Sequence, residues 1–150
     1  MKLSNLIEPE AIVVPTRATE KFSVIRELVE QLDKLGKFQD NQTVLNAVNA
    51  REELRSTGIG SGLAIPHAKC QACPSLAISL GKPPTPIDFQ SNDGQPCELI
   101  VLLVSSPRET SEHIQVLARI SRLWFSEPFR QAVRDASDAA ALYEALKQYE

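Results

Sequence analysis

The sequence has little of what marks a secreted, membrane-spanning or nucleic-acid-binding protein. Three cysteines in 150 residues are too few for a disulfide framework. Acidic residues (19) outnumber basic ones (16), so there is no positive excess to bind a nucleic acid. No apolar run approaches the roughly 20 residues that a transmembrane helix needs, and the N-terminus lacks a signal-peptide cleavage site. We therefore expect a cytoplasmic chain with no nucleic-acid partner and no direct membrane insertion.

The apolar pattern of the chain predicts helices alternating with strands. A length of 150 residues suffices for one hydrophobic core, so we expect a single domain over residues 1–150. Strands are predicted at 11–14, 63–65, 76–81 and 98–105, and helices at 19–36, 40–55, 111–125, 127–135 and 138–148. The order predicts an α/β fold, a single-domain α/β/α sandwich with a mixed, roughly five-stranded sheet flanked by helices.

Local signals place the ends of these elements. Thr19, Ser126 and Ser137 are predicted N-caps, Asp40 or Asn41 caps the second helix, and Gly36 ends the first. Residues 98–105 are apolar almost throughout, which is typical of a strand buried on both faces. The proline-rich stretch 83–98 is predicted to be a hairpin-like or crossover loop.

One of the two histidines follows a proline at the end of a glycine-rich stretch, "STGIGSGLAIPHAK" (56–69). Pro66 has a fixed φ and favours an extended Ile65, so His67 is held firmly beside the end of a strand. In α/β proteins, functional sites gather at such strand ends. The glycines let the backbone turn tightly and approach an anion. The alternative is an exposed loop histidine with no function.

Two further residues face inward on predicted helices. Arg51 lies near the middle of an apolar stripe formed by Val44, Ala47, Val48 and Leu54. Its planar fork of donors suits phosphate oxygens, although it could instead pair with a nearby acid. His113 shares one helix face with Leu117, Ile120 and Trp124, in the first turn, where a charged imidazole is disfavoured. It is therefore either a neutral core histidine or part of a pocket shared with the other two residues.

The stretch "NAREELRSTGIGSGLAIPHAK" resembles the signature of the IIA components of the bacterial phosphotransferase system, in the fructose/mannitol/nitrogen-regulatory class. An Arg-Glu pair, the "TGIG-G-AIPH" run and the spacing from Arg51 to His67 carry the resemblance. The later segment "SEHIQVLARISRLW" resembles the second histidine region of this family. One departure is Ala68, where glycine is common. Because no IIB or membrane domain is attached, we expect the nitrogen-regulatory branch.

The resemblance implies a phosphocarrier without a cofactor or metal. His67 would accept a phosphoryl group on Nε2 from the histidine phosphocarrier protein. It would then pass the group to a cysteine of a IIB domain, or hold it as a signal to a regulatory target in nitrogen, carbon or potassium control. Arg51 would neutralise charge on the phosphoryl oxygens, and His113 would orient His67 or donate a hydrogen bond. Backbone N–H groups of Gly60, Ser61 and Gly62 would also bind the phosphoryl group.

Two other functions fit parts of the sequence. His67, Cys70 and Cys73 in "HAKCQAC" would suit a metal-binding or thiol protein, because Cys-x-x-Cys is a known ligand spacing. A structural zinc site would need a fourth ligand, such as Cys97 or His113, from elsewhere. A pure interaction domain that no longer transfers phosphoryl groups is the third possibility.

Overall fold

The strand Leu99–Ser105, β6, is the element around which the sheet is built. The computed structural model describes residues 2–150. The helices are α1 Leu3–Leu6, α2 Lys21–Lys34, α3 Asn41–Leu54, α4 Thr110–Trp124, α5 Glu127–Asp135 and α6 Ala139–Tyr149, with a 3-10 turn at Pro9–Ala11. The other strands are β1 Ile12–Val13, β2 Gly58–Gly60, β3 Leu63–Ala64, β4 His67–Lys69 and β5 Ala77–Gly81.

Within residues 2–150 the sheet is mixed and contains six strands. On one side of β6 lies β5, antiparallel to it, followed by β1, which is parallel to β5. On the other side, two short strands share the length of β6. β3 runs parallel to its first residues and β4 runs parallel to its last three. β2 pairs antiparallel with β3 at the edge. The predicted mixed α/β sandwich is confirmed.

Side chains of β6 alternate between two hydrophobic cores. Ile100, Leu102 and Val104 pack in the core that α2 and α3 cover. The intervening Leu99, Val101 and Leu103 pack against α4, α5 and α6. All seven residues of the strand are buried, as predicted from its apolar run. This alternation follows from the two-residue period of a strand.

The ends of the five predicted helices all lie within two residues of the observed ones, whereas the short α1 was not predicted. The Oγ of Ser126 accepts a hydrogen bond from the N–H of Phe129, which confirms this N-cap. The other two predicted serine or threonine caps are wrong. Asp138, not Ser137, accepts a hydrogen bond from the N–H of Ala141. Thr19 does not cap α2, because the helix begins at Lys21 and Glu20 occupies the N-cap position. Gly36 has a φ of 75°, a conformation that suits the residue after a helix.

Two strands were missed in the glycine-rich stretch and after it. Residues 58–60 form β2 although a loop was predicted, because antiparallel pairing with β3 holds them extended. His67 does not merely follow a strand. It begins β4, opposite Leu103 of β6. In β2, pairing with a neighbouring strand outweighs the low strand propensity of glycine.

The burial of β6 predicts a large stability difference between two leucines. Leu102 is fully buried, whereas Leu54 at the end of α3 is 84% exposed. We expect Leu102→Ala to lower the free energy of unfolding by about 2–5 kcal/mol. Leu54→Ala, the matched control, should change it by about 0.5 kcal/mol or less. Urea denaturation followed by circular dichroism measures both, and similar losses in the two variants would contradict this account of the core.

Candidate functional site

A cleft of about 380 Å³ opens where β4 meets α3 and α4. Among residues 2–150, β4 pairs with β6 and with no other strand, so its outer edge is free. The cleft contains both histidines of the chain and is lined by Ala47, Arg51, His67, Ala68, Lys69, His113 and Leu117. The structure thus brings His67, His113 and Arg51, which are distant in sequence, to one site.

Strand alternation and a carbonyl orient the ring of His67. Ala68 packs into the core beneath α2 and α3, so its neighbour His67 points to the opposite face, toward α4. The Nδ1 of His67 lies 2.8 Å from the carbonyl oxygen of Ile65. A carbonyl oxygen only accepts hydrogen bonds, so Nδ1 must carry the proton. Nε2 is then the unprotonated nitrogen and holds the lone pair that can act as a nucleophile.

Burial keeps His67 in this neutral form. Removal from water is the main cause that lowers its pKa below the usual 6.5, and the positive charge of Arg51 adds to the effect. The hydrogen bond to Ile65 and the charge of Glu52 act in the opposite direction without reversing it. At neutral pH the nucleophilic lone pair is therefore available on most molecules.

His113 lies beside His67 and is almost fully buried, with 3% of its surface exposed. The centroids of the two rings are 5.4 Å apart, and the ring planes meet at 67°. The Nδ1 of His113 lies 2.6 Å from the Oγ of Ser105, the last residue of β6. Burial, with a smaller contribution from the nearby His67, lowers the pKa of His113 to about 4. The predicted neutral, inward-facing imidazole is therefore present.

Arg51 reaches the cleft from the last turn of α3. Its Nη1 donates a hydrogen bond to the carbonyl oxygen of Arg55 at 2.8 Å. A guanidinium has five N–H groups, so several remain for an anion in the cleft. The position of Arg51 was predicted from an apolar stripe that included Leu54. This part of the prediction is wrong, because Leu54 is exposed. Arg51 lies at the margin of the buried face, half-buried, and not at its centre.

Glu52 is the glutamate of the Arg-Glu pair in the motif, but its structural role was not predicted from the sequence. It is 2% exposed, and its carboxylate accepts hydrogen bonds from the N–H (2.9 Å) and the hydroxyl of Thr57. It also forms an ion pair with the Nζ of Lys21 at 2.9 Å. These contacts hold the chain where it leaves α3, next to the carbonyl that Arg51 binds. The i, i+4 spacing of Val44, Val48 and Glu52 could have indicated that Glu52 lies on the buried face of α3.

The structure does not bring Gly60, Ser61 and Gly62 to the cleft. Their turn lies near Leu99, whereas His67 lies opposite Leu103, four residues or about 13 Å further along β6. Its groups are engaged there: the N–H of Ser61 donates to Asp93 at 2.8 Å and its carbonyl accepts from the indole of Trp124 at 2.8 Å. Positive φ angles at all three residues explain the glycines as the requirement of a tight turn. This position and these hydrogen bonds do not favour the predicted phosphate contacts of the three residues.

The cysteines do not form a site with His67. Cys70 and Cys73 are buried in the core beneath α2 and α3, on the other side of the sheet from the His67 ring. Burial raises the pKa of the Cys73 thiol to about 11, which keeps it protonated and unreactive. Within residues 2–150 there is no group of three or more His, Cys, Asp or Glu side chains arranged to hold a metal ion. The alternative of a metal or thiol site is wrong on this geometry.

No helix within residues 2–150 combines the length and the apolar character required to cross a bilayer.

Comparison with known proteins shows which family the chain belongs to. Residues 5–149 match the family model described as "Phosphoenolpyruvate-dependent sugar phosphotransferase system, EIIA 2". The PTS system fructose-specific EIIABC component of Bacillus subtilis (strain 168) is 35% identical over 150 residues, which are 100% of this chain but 24% of that protein. The nitrogen regulatory protein of Bradyrhizobium diazoefficiens is 33% identical over 146 residues, 97% of this chain and 95% of that protein. The chain therefore spans about a quarter of the first relative and nearly all of the second.

A solved structure has the same fold. The crystal structure of the nitrogen regulatory protein IIA-Ntr from Neisseria meningitidis superimposes with a TM-score of 0.88 at 25% identity, covering 96% of this chain and 98% of that one. The resemblance carried by the stretch around His67 is thereby confirmed.

The lowered pKa of His113 predicts how stability depends on pH. Between pH 6.5 and about 4, the unfolded chain binds a proton at this histidine and the folded chain does not. The free energy of unfolding should therefore fall as the pH is lowered from 7 to 5, and His67 contributes in the same direction. The fall should be smaller in His113→Gln, measured by urea denaturation at both pH values. An equal fall in the variant, or a His113 NMR titration midpoint near 6.5, would contradict the buried neutral ring.

Proposed function

The chain belongs to the EIIA type-2 family of the phosphoenolpyruvate-dependent sugar phosphotransferase system, and we propose that it carries a phosphoryl group on the Nε2 of His67. The observation that carries this proposal is the orientation of that nitrogen. The hydrogen bond from Nδ1 to Ile65 leaves the Nε2 lone pair unprotonated. It belongs to a ring that lines an open cleft together with Arg51 and His113.

The reaction is a phosphoryl exchange between two imidazoles. The Nε2 lone pair of His67 attacks the phosphorus of a phosphohistidine on the histidine phosphocarrier protein. As the new N–P bond forms, the old N–P bond breaks, and its electron pair returns to the donor's ring. His67 keeps its proton on Nδ1, and the carbonyl oxygen of Ile65 stabilises the positive charge that the ring gains. Such a transfer depends mainly on alignment and on stabilising charge on the equatorial oxygens.

Arg51 and His113 supply that stabilisation from two sides of the cleft. Arg51 offers a permanent positive charge and free N–H groups, since only Nη1 is committed to Arg55. His113 is neutral, so it contributes a hydrogen bond to the phosphoryl group but no charge. Glu52 and Lys21 act indirectly by holding the end of α3. No metal or cofactor is needed in this scheme.

The open edge of β4 suits access by protein partners. Two exposed apolar side chains lie beside cleft residues in sequence: Leu54, 84% exposed, follows Arg51 by three residues, and Ile114, 59% exposed, follows His113. A partner that contacts these side chains brings its own histidine or cysteine to the phosphorus. The donor is the histidine phosphocarrier protein.

The acceptor is either a IIB cysteine or a regulatory target. The Bacillus subtilis relative is a fructose-specific EIIABC component, which supports a IIB acceptor. The Bradyrhizobium relative, which this chain matches over nearly its full length, supports a role in nitrogen regulation. In that second role the phosphorylation state of His67 is itself the signal.

Removal of His67 tests the acceptor directly. Wild-type protein incubated with phosphoenolpyruvate, enzyme I and the histidine phosphocarrier protein should gain one acid-labile phosphoryl group, measured by intact-mass spectrometry. His67→Ala should gain none, because the nucleophilic nitrogen is absent. The control is His113→Ala, which keeps the nucleophile and should take up the group about 10²-fold more slowly. Label on the His67→Ala variant would overturn the assignment.

The guanidinium fork of Arg51 predicts a loss when only its geometry is changed. Arg51→Lys retains the charge but loses the planar set of donors. A charge-assisted hydrogen bond is worth about 1.5–3 kcal/mol, so transfer should slow roughly 10- to 100-fold. Arg55→Lys, four residues later and exposed, is the matched control and should transfer at the wild-type rate. Equal rates in the two variants, measured by quenched-flow labelling, would exclude the role given to Arg51.

A further inference from the structure

Ser105 does not line the cleft, but its hydroxyl contacts His113, which does. Ser105 is the last residue of β6, is fully buried, and places its Oγ 2.6 Å from the Nδ1 of His113. We propose that Ser105 is a positioning residue that donates its hydroxyl proton to this nitrogen and so holds His113 in the tautomer with hydrogen on Nε2. The inference rests on the proposed function, because the Nε2–H is the group offered to the phosphoryl oxygens.

The direction of this hydrogen bond follows from the buried hydroxyl of Ser105, whose hydrogen needs an acceptor. Among residues 2–150, the Oγ of Ser105 has His113 as its one hydrogen-bond partner. If Nδ1–H donated to the hydroxyl, the hydroxyl hydrogen would be buried with no acceptor, which is costly. If the hydroxyl donates to Nδ1, the hydroxyl hydrogen has an acceptor, and the remaining ring N–H is on Nε2 of a ring that lines the cleft. The second arrangement is therefore favoured.

The ring of His113 then has a single N–H. Burial keeps the imidazole neutral, so a proton excluded from Nδ1 must lie on Nε2. Because Ser105 occupies Nδ1 and the ring lines the cleft, Nε2 is the nitrogen available to a group bound there. It donates a hydrogen bond to a phosphoryl oxygen, and no proton is transferred.

The two histidines consequently have opposite tautomers for a simple chemical reason. The partner of His67 is a carbonyl oxygen, which cannot donate, so Nδ1 is protonated and Nε2 is a nucleophile. The partner of His113 is a hydroxyl, which can donate, so Nδ1 is an acceptor and Nε2 is a donor. One ring attacks phosphorus and the other binds its oxygens. Exchanging these tautomers would place a lone pair of His113 against the anion and remove the nucleophile of His67.

The tautomers can be measured without any phosphoryl transfer. In long-range ¹H–¹⁵N spectra of the full chain at pH 7, each imidazole nitrogen reports whether it is protonated. With two histidines in the chain, a His67→Ala sample identifies the signals of His113. We expect a protonated Nε2 on His113 and a protonated Nδ1 on His67. A His113 protonated on Nδ1 would overturn the inference.

Variants of Ser105 link the tautomer to transfer. Ser105→Ala should shift His113 away from the pure Nε2–H form and slow phosphoryl uptake about tenfold, as loss of an orienting partner does elsewhere. Ser105→Thr restores a hydroxyl and should restore both readouts. Ser79→Ala is the matched control, since Ser79 is equally buried but donates to the carbonyl oxygen of Ala11. It should change neither readout.

The outcomes separate this inference from the proposed function. Normal phosphoryl uptake with an unchanged tautomer and rate in Ser105→Ala would overturn the inference alone. Absence of uptake by the wild-type chain would overturn the proposed function and, with it, the role of Ser105 in transfer. If Ser105→Ala does not fold, the tautomers of the wild-type protein and of Ser105→Thr still test the inference. A Ser105→Thr variant that folds but loses the Nε2–H form of His113 would contradict it.

Discussion

The parallel pairing of β4 with the end of β6 is the interaction on which the site depends. It places His67 opposite Leu103 and Lys69 opposite Ser105. From Ser105 the chain needs only a short loop to start α4, whose first turn carries His113. A single three-residue ladder therefore positions His67, and β6 ends in Ser105, the residue that contacts the second histidine. The ladder is formed with a strand whose side chains pack in both hydrophobic cores.

Two basic side chains, Arg51 and Lys69, line the cleft beside two neutral rings. Burial lowers the pKa of both histidines, which leaves these two side chains as the groups that attract an anion. The buried pair of Glu52 and Lys21 lies behind Arg51 and satisfies the backbone at Thr57. Removing either partner would leave a buried charge unpaired, so this pair links the stability of the α3 end to the position of the arginine.

Sequence patterns were sufficient for the five longer helices, α2 to α6, for the central strand and for the three residues that meet in the cleft. They succeeded because the apolar periodicity of α2 and α4 and the apolar run of β6 report burial directly. They failed where a side chain's role depends on a distant partner. Glu52 reads as a surface acid until Lys21 and Thr57 are placed around it. The glycines at 60 and 62 read as a phosphate loop until the turn is seen to lie beside Asp93 and Trp124.

The sequence by itself determined the α/β class and the family and singled out His67 as the proposed nucleophile, since local periodicity and a contiguous motif carry that information. Only the tertiary structure decided that the two parts of the motif lie at different places. The glycines form a turn near the start of β6, and His67 lines a cleft near its end. It also decided which nitrogen of each histidine is protonated, because a tautomer is set by the hydrogen-bond partner that folding places beside the ring. For His67 that partner is the carbonyl of Ile65, and for His113 it is the hydroxyl of Ser105.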